Sequence, residues 1–593
     1  MIRSLSLLAL VMALGCGGKS APKTVPVVAG ADTTSSGARP GNEIDALWAA
    51  APTDTIMGIV VAPGTTLKLY DMAEEILRVV AARPLGAKRL QDVRKEFSDI
   101  PFDIFDREAL LSAGVDLTRG AALFIDAESK GTLILPVTNR ETFREFTGAS
   151  LGTVAGIEVD ILDDQYYCTT QATRYVCKED VEGLTSPPVA NSISAFAERV
   201  YRLPSGYRGD VELVLDIEAF EQMEDENDPE FHELFGELGL LAAVLKLERG
   251  SLTARAWVQA KPRGDMQAIA QAGASVGGLS SGAGAMRPSS FARMIIPRQA
   301  FMDEVPDQIL PGGASLRDDI LGKLTGEIVG YTPASASPWG RIALGITEAK
   351  NFEALLTMGC ALVPSMPFLE VESGPGRCSM IVDYDKAPGL DAEARAMFSG
   401  KIPMVLAVEP DQVTLTIGTE GPILESQTVS AIGKELLYKE WSYSLWTQNF
   451  SLISGLGEPW ANVISRQPKE MQEGMRYALW LVSHVNEFAG AISVQADGMH
   501  MLAHIGSYAS DSDEAYSAYQ AAITKNIDQG DTTADFAQIR KRWPTSRAAQ
   551  QSVGAGPFSE IFAKMIATIS VPAFVKYMDR VTAKTAAESK TSN

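Results

Sequence analysis

The sequence predicts an α+β protein: duplicated modules of antiparallel β-hairpins and sheets packed by helices, ending in a helix-rich C-terminal part. Three observations predict it. Hydrophobic spacing switches repeatedly between periods of two and 3.6. Hairpins followed by helices recur along the chain. A strand–cap–helix phrase also returns, Leu135–Phe143 (LPVTNRETF) reappearing 209 positions later as Leu344–Phe352 (LGITEAKNF). So long a period marks duplicated domains, since solenoid repeats run about 20–50 residues. The 593 residues are 46% hydrophobic and 21% charged, an ordinary globular balance. With 52 Lys+Arg against 74 Asp+Glu, the net charge is −22. Nucleic acid and anionic lipid faces are disfavoured partners, because phosphate binding needs a basic surface. Only four histidines occur, which leaves little scope for zinc or His-based acid–base chemistry.

Residues 1–16 (MIRSLSLLALVMALGC) combine Arg3 with an apolar run, Leu5–Leu14, too short to span a bilayer. Ala13-Leu14-Gly15-Cys16 resembles a bacterial lipobox, with Ala13 where that family favours Leu and Leu14 where it favours a small residue. The resemblance implies an acylated Cys16 at the mature N-terminus, anchored stably in a lipid membrane by several acyl chains. Gly17 rather than Asp follows the cysteine. By resemblance to the enterobacterial sorting rule, that favours the outer membrane. Residues 17–42, rich in Gly, Ser, Thr, Pro and Ala, read as a flexible tether.

A first α+β module is expected over 43–275, a second over 286–440, and the helix-rich part over 441–593. Residues 64–97 read as helix, with Leu67, Leu69, Met72, Ile76, Leu77 and Val80 on one stripe. Two strands follow, Ala121–Ile125 and Thr132–Val137. Asn139 then caps a helix carrying Phe143 and Phe146. Cys168 and Cys177 flank TTQATRYV in a predicted hairpin, where they could face each other. Cys360 and Cys378 fall on a predicted helix and the strand after it. Four cysteines allow three pairings. The expected pairs are 168–177 and 360–378, and buried free thiols are the alternative.

The recurring hairpin–helix unit occurs three times. The first is Ala243–Val258, turning at Arg249-Gly250, then Met266–Ala274. The second is Met404–Ile417, turning near Pro410-Asp411, then a helix within 424–438. The third is Ala491–Tyr508, turning at Asp497-Gly498, then Asp513–Ile527. Gly273–Gly284 reads as a Gly/Ser linker. Pro468–Phe488 reads as a long helix. The pattern over about 45–530 weakly resembles envelope proteins of unknown function that repeat a Leu-Thr-Gly-Glu phrase, here Leu324–Glu327. That likeness brings no activity.

Candidate sites are sparse. Gly273-Ala274-Ser275-Val276-Gly277 matches the nucleophile-elbow spelling, but a helix precedes it where the motif needs a strand. His500 and His504 share a metal only on a helix; on the predicted strand they stand about 13 Å apart. Glu221, Glu224, Asp225, Glu226, Asp228, Glu230 and Glu233 form an acidic run without EF-hand spacing. Trp441, Tyr443, Trp446 and Phe450 suit a core stripe better than a ligand groove. Residues Ile569–Arg580, with Lys584 and Glu588, look like the stretch around the proline of type IV pilin helices. That resemblance implies a pilus or secretion link, against the plain reading of an amphipathic helix. No P-loop, dinucleotide fingerprint or CxxC occurs. No catalytic residue, cofactor or metal is expected. The sequence reads as a non-enzymatic lipoprotein, periplasmic or at the cell surface. It would bind or scaffold an envelope protein or ligand. A carrier of an apolar ligand is the alternative, and a carboxylate hydrolase ranks lower.

Overall fold

The computed structural model describes residues 43–71, 107–224, 235–388, 401–448 and 485–507, apart from short stretches within them. Cys16, the tether, residues 72–97 of the helix expected over 64–97, the helix expected at 513–527, residues 468–484 of the helix expected at Pro468–Phe488, most of the acidic run, Phe450 and the pilin-like segment lie outside the described residues. The chain divides into two compact units. The first is Met1–Lys261 with Asp497–His500 and Ile527–Gly530; the second is the remainder. The described residues are a mixture of helices and antiparallel sheet.

The helices of the first unit are α1 (Glu43–Trp48), α2 (Arg107–Ser112), α3 (Arg140–Thr147), α4 (Ala195–Tyr201) and α5 (Ile217–Glu224). Its strands are β1 (Thr55–Val61), β2 (Ala121–Asp126), β3 (Gly131–Leu135), β4 (Ser150–Val154), β5 (Ile157–Leu162), β6 (Tyr166–Gln171), β7 (Arg174–Lys178), β8 (Val211–Asp216), β9 (Phe235–Glu248) and β10 (Ser251–Pro262). They hydrogen-bond in the order β4-β5-β6-β7-β3-β2-β1-β8-β9-β10.

The second unit carries α6 (Gly264–Ser275), α7 (Gly278–Ala285), α8 (Lys350–Leu362) and α9 (Ala431–Tyr438). Its strands are β11 (Pro288–Ile295), β12 (Leu324–Pro333), β13 (Trp339–Ile346), β14 (Leu369–Gly374), β15 (Arg377–Asp383), β16 (Lys401–Val408), β17 (Gln412–Gly418), β18 (Tyr443–Gln448), β19 (Val485–Gln495) and β20 (Gly498–Ser507, from Met501 onward). Their order is β14-β15-β16-β17-β13-β12-β11-β18-β19-β20. Each strand of the first order thus has a counterpart ten numbers on.

Register matches as well as order. Leu135 pairs with Tyr175, and Leu344 with Val413. Cys168 pairs with Cys177, and Leu406 with Leu415. The recurring phrase falls on β3–α3 and β13–α8, which hold the same place in the two orders. Local chemistry explains the boundaries. Asn139 Oδ1 accepts from Thr142 N–H at 3.1 Å and starts α3. Gly148, at φ +69°, ends it in the left-handed conformation that glycine adopts without steric cost.

Two sequence expectations are corrected. Residues 273–284 are not a linker: α6 runs to Ser275 and α7 occupies Gly278–Ala285. Leu279 and Ala283 are buried there, so tertiary packing overrides the poor helix propensity of Gly and Ser. The described residues after 441 are strands rather than helices, and β18 pairs with β11 to continue the second sheet. Of the helix expected at Pro468–Phe488, residues 468–484 lie outside the described residues and Val485–Phe488 belong to β19, where burial alternates along the strand with Ala489 and Ala491 buried and Phe488 and Ile492 exposed.

Alternating residues on each strand face opposite sides. In the first unit both sides are packed. On one, Val60, Ala122, Phe124, Ile134 and Val214 lie with Leu47 and Trp48 of α1 and Phe196 and Val200 of α4. On the other, Val61, Leu123, Leu133 and Leu135 meet Tyr70, Leu110 of α2 and Phe143 of α3. Each such large side chain contributes about 1.5–3 kcal/mol when buried. Aromatic packing is exchanged between helix and strand in the two units. Trp48 lies over Gly58, where a Cβ would meet its ring at 2.4 Å. In the second unit Phe291 and Trp446 supply the rings from the strands, and Gly433 of α9 makes the room, 2.5 Å from Trp446 by the same measure.

Candidate binding face

The second sheet is packed on one side and open on the other. Phe291, Val329, Tyr331, Ala343, Trp446, Ala489 and Ala491 lie with Leu279 and Ala283 of α7 and Leu436 and Leu437 of α9. The opposite side of the central strands presents Met294, 39% exposed, Tyr443, 48%, and Ile492, 43%. Register places these three in one row across β11, β18 and β19. Ile342 and Phe488, 38% and 37% exposed, belong to the same side. Their counterparts in the first unit are Val61, Val211, Leu245, Leu133 and Leu241. Val61 and Leu133 are buried, and Val211 packs against the same core.

One connection differs between the units among the described residues. Residues 62–120 join β1 to β2 and include a helical segment over 65–71 and α2, whose Tyr70 and Leu110 cover the sheet. Residues 296–323, about half as many, join β11 to β12. Of their described residues, Leu310, Leu316 and Ile320 pack at the end near β13 and β17, around Leu324, Ile346 and Phe352. Apolar surface left open on a folded chain marks an interaction site when it is contiguous.

The other buried polar groups hold the fold together. Asp160 accepts from Arg140 Nε at 2.7 Å and from Tyr175 Oη at 2.7 Å, with Arg144 3.6 Å away. Burial and then the bond to Asp160 push the Tyr175 phenol far above its usual range. At the equivalent place in the second unit, Cys378 of β15 is disulfide-bonded to Cys360 of α8. One unit therefore ties this helix to its sheet with a carboxylate, the other with a covalent bond. Cys168 is bonded to Cys177 across β6 and β7. Burial raises the Glu212 carboxyl, against the opposing pull of Arg208 and the Trp48 indole. Arg293 and Glu327 form a buried pair at 3.1 Å, and Leu279 N–H reaches Glu327 Oε2 at 3.3 Å.

Among the described residues, none of the sequence motifs assembles a reaction centre. Ser275 is the last residue of a helix, so the elbow context is absent. His500 lies 2.7 Å from Tyr207 Oη and 3.1 Å from Asp497, stacked on Trp257. His504 Nε2 lies 3.6 Å from Glu487 Oε2, while Glu487 Oε1 accepts from Ser430 and, at 2.8 Å, from Trp446 Nε1. The carboxylate stands between serine and imidazole, so His504 is not placed to take the Ser430 proton. Burial would raise Glu487, but hydrogen bonds from His504, Ser430 and Trp446 outweigh it and hold the carboxyl below its usual range. Trp441 and Trp446 are core residues, whereas Tyr443 is exposed. Among the described residues no group of three His, Cys, Asp or Glu could hold a metal ion. Nor is any described helix long and apolar enough to cross a membrane.

No protein-family model matches the sequence, and no curated protein matches it. A solved structure described as "Structure of crystal form IV of TP0453" is similar at 11% identity, over 36% of this chain and 78% of that chain. Its TM-score is 0.20, which carries no argument about fold or function.

Proposed function

We propose that this chain is a lipoprotein of the cell envelope, tethered to the outer membrane by an acylated Cys16. It acts by binding or scaffolding rather than by catalysis, and its two units are duplicated modules. The lipobox resemblance and the composition of residues 17–42 support the tether. Two disulfides suit an oxidising compartment. Matched strand order and register support duplication. The single observation that carries a binding role is the exposed row Met294–Tyr443–Ile492, set on a sheet whose counterpart is closed.

Palmitate labelling of growing cells tests the tether: label enters the wild-type chain and is absent from Cys16→Ala. A photo-crosslinking amino acid at position 443 tests the binding role. Specific adducts in the envelope support it, and an adduct-free Tyr443 site beside a positive control elsewhere overturns it.

A further inference from the structure

We infer that the open face of the second sheet receives an amphipathic helix with a basic polar side, supplied by a partner protein. The inference rests on the binding reading above and names the class of partner.

Three features of the face argue for a helix. The first is a row lowered at Gly330 and Ala292, and again at Gly490 beyond Leu445. Register lines up Ile342, Gly330, Ala292, Leu445 and Gly490 across five adjacent strands. The same row in the first unit reads Leu133, Leu123, Ile59, Leu213 and Ala243. Large side chains at Leu123 and Ile59 are thus replaced by Gly330 and Ala292. Above Gly330 the nearest atom to an added Cβ is 4.0 Å away, and above Gly490 there is nothing within 4 Å. The rows on either side carry Met294, Tyr443 and Ile492 on one rim and Phe488 on the other. Rims four residues apart along a strand stand about 13 Å apart. A helix with its side chains is about 10–12 Å across.

The second feature is the precedent inside the same chain. Where the first unit closes this side of its sheet, it does so with helical segments, Leu67, Tyr70 and Leu110 packing on Val61, Leu123 and Leu133. The third is charge. A chain at −22 attracts a basic helix and repels an anionic bilayer, which separates a peptide partner from a lipid surface.

The test uses the full chain carrying Cys16→Ala. The probes are a fluorescein-labelled eighteen-residue Leu/Lys amphipathic peptide and its Leu/Glu counterpart, followed by anisotropy. The Leu/Lys peptide is expected to bind at least tenfold more tightly than the Leu/Glu peptide. Filling the lowered row with Gly330→Leu and Gly490→Leu should weaken it at least tenfold again, as should Tyr443→Glu. Tyr443 is exposed, so its variant keeps the test open should the double variant fold poorly. Equal affinity for wild-type and both variants overturns the inference. So does binding to phosphatidylcholine vesicles that Tyr443→Glu abolishes while the peptide is ignored, which assigns the face to lipid. Self-association lost in the same variants assigns it to a second copy. Protein adducts at position 443 together with peptide indifference leave the binding reading standing and remove the helix.

Discussion

Leu133 of the first unit and Ile342 of the second hold the same register in the same strand order, yet one is 1% exposed and the other 38%. The strands beneath them do not differ in kind. One difference is the length of chain between the first two strands of each sheet, residues 62–120 against 296–323; another is the chain between the eighth and ninth, 217–234 against 449–484, the latter outside the described residues. A sheet with two apolar sides needs a cover on each, and where the described connection is shorter, apolar side chains stay exposed.

The largest expected effect separates the two units at that position. Leu133→Glu buries an unpaired carboxylate and should cost about 3–5 kcal/mol. Ile342→Glu should stay within about 1 kcal/mol, as exposed substitutions do. Urea unfolding followed by circular dichroism reads both; equal losses would break the comparison. Next come the two helix ties. Asp160→Ala removes the acceptor shared by Arg140, Arg144 and the buried Tyr175 hydroxyl, leaving Arg140 its contacts to Glu158, and should cost about 3 kcal/mol. Replacing Cys360 and Cys378 together removes the counterpart tie and should cost about 2–4 kcal/mol.

A smaller effect depends on pH. Glu487 has a folded pKa below its ordinary 4.5, so its stabilisation is complete above that value. It is lost as pH falls through the depressed folded pKa. Glu212 has a folded pKa above 4.5, so the native state binds the proton more tightly, and the first unit gains stability as pH falls from the folded value toward 4.5. Acid titration of unfolding in Glu487→Gln and Glu212→Gln should remove these opposite slopes one at a time. Smallest is Asn139→Ala, which removes the α3 cap at about 1 kcal/mol, read as a lowered Tm.

Much of the local structure was legible in the sequence. The hairpin turns at Pro410-Asp411 and Asp497-Gly498 and the Asn139 cap are short-range signals, and each lies where its residues place it, while Arg249-Gly250 lies outside the described residues. The Cys168–Cys177 bond was legible for the same reason, because a hairpin brings its own ends together. The strand order was not, since Val60 pairs with Glu212 across most of the first unit and no local pattern encodes that partnership. The α6–α7 region misled because glycine and serine punctuate most chains, whereas here Leu279 and Ala283 are buried in the second unit's core and hold a helix. The open face was invisible. Met294, Tyr443 and Ile492 alternate with core residues in a pattern that is the same whether or not something covers them.

The most direct measurement is thiol accessibility at matched positions. Single cysteines at 294, 443 and 492, and at 61 and 133, are placed in the full Cys16→Ala chain with both disulfides intact, then exposed to a maleimide. Cysteines at 294, 443 and 492 should react at rates near those of a free thiol, and those at 61 and 133 only as fast as the first unit opens. Equal protection at all five positions would show the second face closed and contradict the account.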